Sequence, residues 1–244
     1  MTSRSISRTL FNVTSLILVI GLVLVAGRYF YVKHQYPITL STIENKRTVF
    51  ATAYQEAVSQ QQKSKIISQA RIYLEKMMVA DVFPAWYGNP WTFNGDASQP
   101  FEGTVACGSF VENTLVNTGF RLDQRLSAQP SETIIKNLLT SNNVKRFSNV
   151  PMDDFIGSVK ANGDGLYVVG LDTHVGYLNV ANGEVDFIHS HGYLFVMSEA
   201  AKRSITLRNS KYKVIGKLFD DELVEKWLLN RKVPLKYNYF TESS

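Results

Sequence analysis

Residues 162–190 read NGDGLYVVGLDTHVGYLNVANGEVDFIHS. Asn162–Gly165 is a turn, rich in residues that accept unusual backbone angles. β-branched and aromatic residues then fill three runs, Leu166–Leu171, His174–Val180 and Glu184–His189. Each is strand-length and too short for a helix. Asn182–Gly183 joins the last two. A two-residue hairpin turn needs positive φ at its central positions, which Asn and Gly tolerate, so these runs predict an antiparallel hairpin. Further strand is expected over Tyr212–Leu218 and helix over Asp221–Leu229.

Upstream, the period is helical. Ile66, Ile67, Ala70, Leu74, Met77 and Met78 recur at three- and four-residue steps, predicting one helix over about 53–83 that Pro84 ends. Residues 84–104 are dense in Gly, Pro, Asn and aromatics, a structured loop whose Trp86, Tyr87, Trp91, Phe93 and Phe101 need burial. Residues 106–119 predict a helix with Phe110, Val111, Thr114, Leu115 and Thr118 on one face and Gly119 as its stop. Ser131 is placed to cap a helix carrying Ile134, Ile135, Leu138 and Leu139, and a short helix should follow Pro151. Helices first and an antiparallel sheet afterwards make an α+β domain over 53–244.

Thr9–Gly27 is a run of 19 uncharged positions with Arg4 and Arg8 before it and Arg28 and Lys33 after it. As a helix it would span nearly the roughly 30 Å of a bilayer core. Tyr29, Phe30 and Tyr31 stand where an interfacial aromatic belt would lie. Residues 1–32 are therefore expected to form one N-terminal transmembrane helix, with the N-terminus in the cytoplasm and the domain facing the periplasm or exterior. A signal peptide cleaved near Val25 and Gly27 is the rival reading. Residues 33–52 show no clear period and read as a linker. The 244 residues carry a formal charge of +5. Residues 201–244 hold 10 Lys/Arg against 5 Asp/Glu, whereas residues 1–200 hold 16 of each. Asp220, Asp221, Glu222 and Glu225 dilute that excess too far to predict nucleic-acid binding.

One cysteine excludes an internal disulfide and any multi-cysteine metal site. Cys107 opens a predicted helix, where unpaired N–H groups and the helix dipole favour a thiolate. A buried small hydrophobe is the plainer reading of a lone cysteine. His174 and His189 lie near the open end of the predicted hairpin on adjacent strands. They can act as a base and the group that holds its ring, provided the register puts them on one face. His191 shares the face of His189 if the strand continues, so it is the alternative third member. Zinc bound through these histidines and Cys107 lacks a further carboxylate at ligand spacing, and no metal or cofactor is assigned. Asp172 is read as a turn cap and Asn162–Gly165 as a plain turn, not a calcium loop.

Ala106-Cys107-Gly108-Ser109-Phe110-Val111 resembles the nucleophile helix of NlpC-type cell-wall cysteine peptidases, usually D-C-S-G-L-V. His174-Val175-Gly176-Tyr177-Leu178 and Phe187-Ile188-His189-Ser190 resemble that family's H-V-G-I-Y-L and F-I-H-A-S pair. Trp86-Tyr87-Gly88 and Pro90-Trp91 resemble its aromatic-glycine stretch. The resemblance covers roughly residues 84–195. It implies a papain-like, NlpC-like fold with helices packed on an antiparallel sheet. It implies Cys107 as nucleophile, His174 as general base and His189 as orienting residue. Tyr87 or Trp91 would stand beside the nucleophile for substrate or oxyanion binding. The implied activity is hydrolysis of an amide bond in peptidoglycan stem peptides. Ala106 replaces the usual Asp, Gly108-Ser109 inverts the usual order, and about 66 residues separate Cys107 from His174. A wall- or protein-binding module on the same fold and an acyltransferase using the same residues are the alternatives. The oligomeric state is left open.

Overall fold

The structure, a computed structural model, describes residues 3–123 and 125–237, with side chains from 15 onward except that of 17. The chain divides into two compact units, Met1–Ile38 and Thr39–Ser244. In chain order the elements are α1 (Ser3–Glu56), α2 (Gln60–Met77), a π-helical turn (Met78–Val82), α3 (Phe83–Trp86), α4 (Cys107–Asn117) and β1 (Arg121–Leu122). Then follow α5 (Ser131–Leu138), β2 (Lys145–Ser148), α6 (Met152–Ala161), β3 (Gly165–Leu171), β4 (Val175–Ala181), β5 (Glu184–Ser190) and β6 (Val196–Ala200). The chain continues with α7 (Ile205–Asn209), β7 (Tyr212–Lys217), α8 (Asp221–Leu228) and β8 (Lys232–Val233).

The helical region differs from its sequence reading in three places. The stretch 33–52, expected to be an irregular linker, is helical as part of α1, with Pro37 inside it. The expected single helix over 53–83 is broken at Ser59. There the Ser59 hydroxyl accepts the Gln62 amide at 3.2 Å and the Gln62 side chain accepts the Ser59 amide at 3.1 Å, a reciprocal cap that starts α2. Pro84 does not stop the chain. The widened turn before it, in which the Phe83 amide reaches back to the Met78 carbonyl, carries the helix on to Trp86. Such a turn makes room for a residue that lacks an N–H and crowds the preceding turn.

No helix of the described residues is long and apolar enough to cross a membrane. The expected membrane segment Thr9–Gly27 lies partly outside the residues whose side chains are described. Within α1, Leu16, Leu18, Val19, Ile20 and Leu22–Val25 are each at least half exposed.

A six-stranded, wholly antiparallel sheet in the order β2-β7-β3-β4-β5-β6 organises the second unit. The hairpin at Asn182–Gly183 forms with both residues at positive φ, 53° and 77°. Leu178 faces Phe187 and Val180 faces Val185 across β4 and β5. These four join Tyr167, Val169, Leu171 and Ile215 in one core with Phe155, Ile156 and Val159 of α6 and Leu207 of α7. The opposite face meets α4 and α5. The Tyr177 hydroxyl bonds Thr114 Oγ1 at 2.8 Å and donates to the Val111 carbonyl at 3.0 Å. Phe83 and Phe110 pack around the same ring. Burial on both faces explains why β3 is apolar throughout instead of alternating. α5 begins at Ser131 as expected, but Ser131 does not cap it; its hydroxyl donates to the Leu171 carbonyl at 2.5 Å. The α+β class, with helices on an antiparallel sheet, is therefore present.

Candidate active site

Cys107 is the first residue of α4, and no side chain caps that helix. Its position is set by the loop before it. Buried Asn89 takes the Phe101 amide on its Oδ1 at 2.5 Å and donates to the Gly103 carbonyl at 3.1 Å. The loop folds back through the Ala97 amide to the Thr104 carbonyl and the Ala106 amide to the Gly95 carbonyl. Ser190, at the end of β5, then donates to the Val105 carbonyl at 2.7 Å. The thiol is thereby fixed beside the strand end that bears His189.

The residue after the cysteine has a structural reason to be glycine. A Cβ at Gly108 would stand 2.4 Å from the Ser127 carbonyl oxygen. That approach is held by Glu112, whose carboxylate accepts the Ser127 amide at 2.6 Å. The order Gly108-Ser109 follows from a loop that closes against the first turn of α4.

His174 immediately precedes β4, and its Nε2 lies 2.9 Å from Nδ1 of His189. The register explains the pairing. Tyr177 faces Ile188, so Gly176 faces His189, and His174 would face His191 if the ladder ran on. It does not run on: β5 ends at Ser190, and His191 enters a turn that bonds its amide to the Phe195 carbonyl. His189 instead meets His174 diagonally, across a position with no side chain. A Cβ at Gly176 would lie 2.9 Å from the His189 Cβ and 2.9 Å from Phe187. Phe187 also stacks on the His189 ring at 4.0 Å between centroids. On the far side of His189, its Nε2 lies 3.3 Å from Oε1 of Glu199 on β6. Sequence reasoning missed Glu199 because β6 itself went unread: Val196–Ala200 has only one fully buried residue to mark it.

Cys107 and His174 line one cleft of about 730 Å³, with Trp91, Phe93, Ser109, Ser127, Thr173 and Tyr193 among its walls. A second hollow of about 460 Å³ shares Thr173, His174, Gly192, Tyr193 and Thr206 with it and includes His191. Trp91 pairs with Tyr193 at 5.6 Å between ring centroids. Tyr87 is not in the cleft wall; its hydroxyl hydrogen-bonds with Ser198. Of the two aromatics proposed beside the nucleophile, Trp91 is the one that reaches the cleft.

Burial governs the protonation states. It pushes the Cys107 thiol up, against the smaller opposing pull of the Val175, Gly108 and Cys107 amides. The helix N-terminus thus does not by itself yield the thiolate that the sequence suggested. Burial, then the neighbouring His191, lowers His174 from 6.5 to about 4. Burial, then His174 and His191, lowers His189 further. The resting site is a thiol beside neutral imidazoles. Asp172 is spent on structure, accepting the Lys211 amide at 2.7 Å and the Tyr212 amide at 3.1 Å. Among the described residues, no group of three or more His, Cys, Asp or Glu side chains is arranged to hold a metal ion. No family model, no curated protein sequence and no solved structure matches this chain.

Proposed function

We propose that this chain is a cysteine hydrolase of papain-like, NlpC-type design, anchored by its N-terminal helix at the outer face of a cytoplasmic membrane. It would cleave an amide bond in peptidoglycan stem peptides. The observation that carries this reading is the 2.9 Å bond between His174 Nε2 and His189 Nδ1, at the edge of the cleft that holds the only thiol. With Nε2 engaged, Nδ1 is the nitrogen His174 has left for the cleft.

In the reaction, substrate enters beside Cys107 and excludes water. His174 Nδ1 takes the Sγ proton as sulfur attacks the amide carbonyl carbon. The first-turn amides of α4 stabilise the oxyanion. The tetrahedral adduct collapses, the C–N bond breaks, and the amine leaves with the proton from His174. Water then attacks the thioester with His174 as base, releasing the acid and the thiol. The walls suit a peptide: hydroxyls of Ser109, Ser127 and Thr173 can pair with amides, and Trp91, Phe93 and Tyr193 offer apolar contact. The exposed apolar run within 16–25 and the aromatics Tyr29, Phe30 and Tyr31 support the anchor.

The neutral resting site favours a second reading, a binding module that holds a wall peptide or protein without cutting it. An acyltransferase is separated from a hydrolase by its need for an amine or lipid acceptor. The test is digestion of a panel of stem peptides by the full chain, with products read by mass spectrometry. Cleavage that disappears in Cys107→Ala and His174→Ala supports the hydrolase. Tight peptide binding with no cleavage supports the module.

A further inference from the structure

We propose that Glu199 is a positioning residue that sets the proton positions on both histidines, so that His174 presents an unprotonated Nδ1 to Cys107. This rests on the reading of Cys107 and His174 as nucleophile and base.

Strand register places the three side chains. Phe187 faces Glu199 across β5 and β6, so Glu199 stands diagonally beside His189, two positions off the direct partner. His174 is displaced from His189 in the same way on the other side. Three side chains from adjacent strands thus form a line. Like His191 Nδ1, the His189 Nε2 and Glu199 Oε1 atoms are buried and have no hydrogen bond of good geometry among the described residues. The His189 and Glu199 atoms are 3.3 Å from each other. Two buried orphans that face one another are each other's partners, because leaving either unsatisfied costs its full desolvation.

The chemistry then fixes direction. A neutral imidazole has one donor nitrogen and one acceptor nitrogen. An ionised carboxylate only accepts, so His189 Nε2 carries the proton and His189 Nδ1 is an acceptor. Across the 2.9 Å bond, His174 Nε2 must therefore donate. A neutral His174 with its proton on Nε2 has its lone pair on Nδ1, the form a base toward Cys107 requires. In the reverse arrangement, a lone pair on His189 Nε2 would face the carboxylate oxygen. His174 would then hold its proton on Nδ1 and could not accept another there. The carboxylate acts only through His189.

The experiment uses the full chain with ¹⁵N-labelled histidine and long-range ¹H–¹⁵N correlation spectra near pH 7.5. His189→Asn and His191→Gln variants assign the rings. The proposal expects a protonated Nε2 and unprotonated Nδ1 on both His174 and His189. In Glu199→Ala the His189 pattern should become mixed or reverse, and iodoacetamide alkylation of Cys107 should slow by about 10-fold or more. Glu199→Gln keeps an acceptor oxygen and should largely restore both. Nδ1-protonated rings in the unaltered protein would overturn the proposal with no variant needed, as would an unchanged pattern in a folded Glu199→Ala. Failure of the catalytic reading looks different: alkylation is then indifferent to His174→Ala, while the ring pattern still decides Glu199.

Discussion

At position 176 a missing side chain makes the site. Gly176 faces His189, and the space a Cβ would take is bounded at 2.9 Å by His189, Phe187 and the Ile188 carbonyl. Gly176→Ala must push the His189 ring off its stack on Phe187 and away from His174. Overpacking of this kind costs about 1–3 kcal/mol. The expected result is a lower denaturant midpoint together with loss of the His174–His189 proton coupling in histidine NMR spectra. An unchanged midpoint and unchanged ring signals would show that His189 can move without consequence. Cys107, His174 and His189 were legible from residue type and hairpin symmetry. The resemblance put His189 ahead of His191, whereas the residues alone left both open, because the contact depends on β5 ending at Ser190 and runs diagonally across a glycine. Local periodicity carries neither fact.

At the scale of elements, α4 is clamped at both ends and in the middle. The Ser190 hydroxyl holds the carbonyl two residues before it, the Tyr177 hydroxyl holds Val111 and Thr114, and Trp227 Nε1 donates to the Thr118 carbonyl at 2.7 Å. Tyr177→Phe removes the middle clamp without a cavity. It leaves buried polar groups short of a partner and should cost about 1–2 kcal/mol. Hydrogen exchange should quicken over 107–117 before it does in the sheet; uniform quickening would mean α4 is not held through Tyr177. β3, β4, β5, α4 and α6 were readable because each carries a long apolar face or a strong turn signal. β2 and β6 were not, being short edge strands with few buried residues. The helix through 33–52 was hidden by Pro37 and a Thr/Ser run, although Thr39 and Ile43 lie one turn apart and are both buried. The break at Ser59 did have a signal, the Ser-x-x-Gln cap, overshadowed by the apolar steps on either side.

For the whole molecule, a neutral buried histidine is a liability in acid. His174 binds a proton at about 4 when folded and at about 6.5 when unfolded. Between those values the unfolded chain holds more protons, so stability rises with pH there and is flat above about 7. The loss on falling to pH 4 is on the order of 3 kcal/mol from this residue. Glu75 and Glu112, raised by burial, act in the opposite sense. The histidine contribution is therefore isolated as the difference between the unaltered chain and His174→Gln in urea unfolding at pH 7.5, 5.5 and 4.5. That difference should shift steadily across the window. A difference independent of pH would mean His174 titrates normally in the folded protein. The α+β class was visible in the order of periods along the chain, whereas the cleft was not. Its walls come from residues 91, 93–96, 106–109, 127–128, 173–174, 192–193 and 206, which only the tertiary fold brings together.

Cys107 is proposed as a nucleophile served by His174. The most direct measurement is to expose the full chain to p-nitrophenyl acetate, quench in acid, and map the acetyl group by mass spectrometry. The expected product is a thioester on Cys107 in the folded protein, formed at least about 100-fold more slowly in His174→Ala. A Cys107 left unmodified until the protein unfolds, or acylated equally fast without His174, would contradict it.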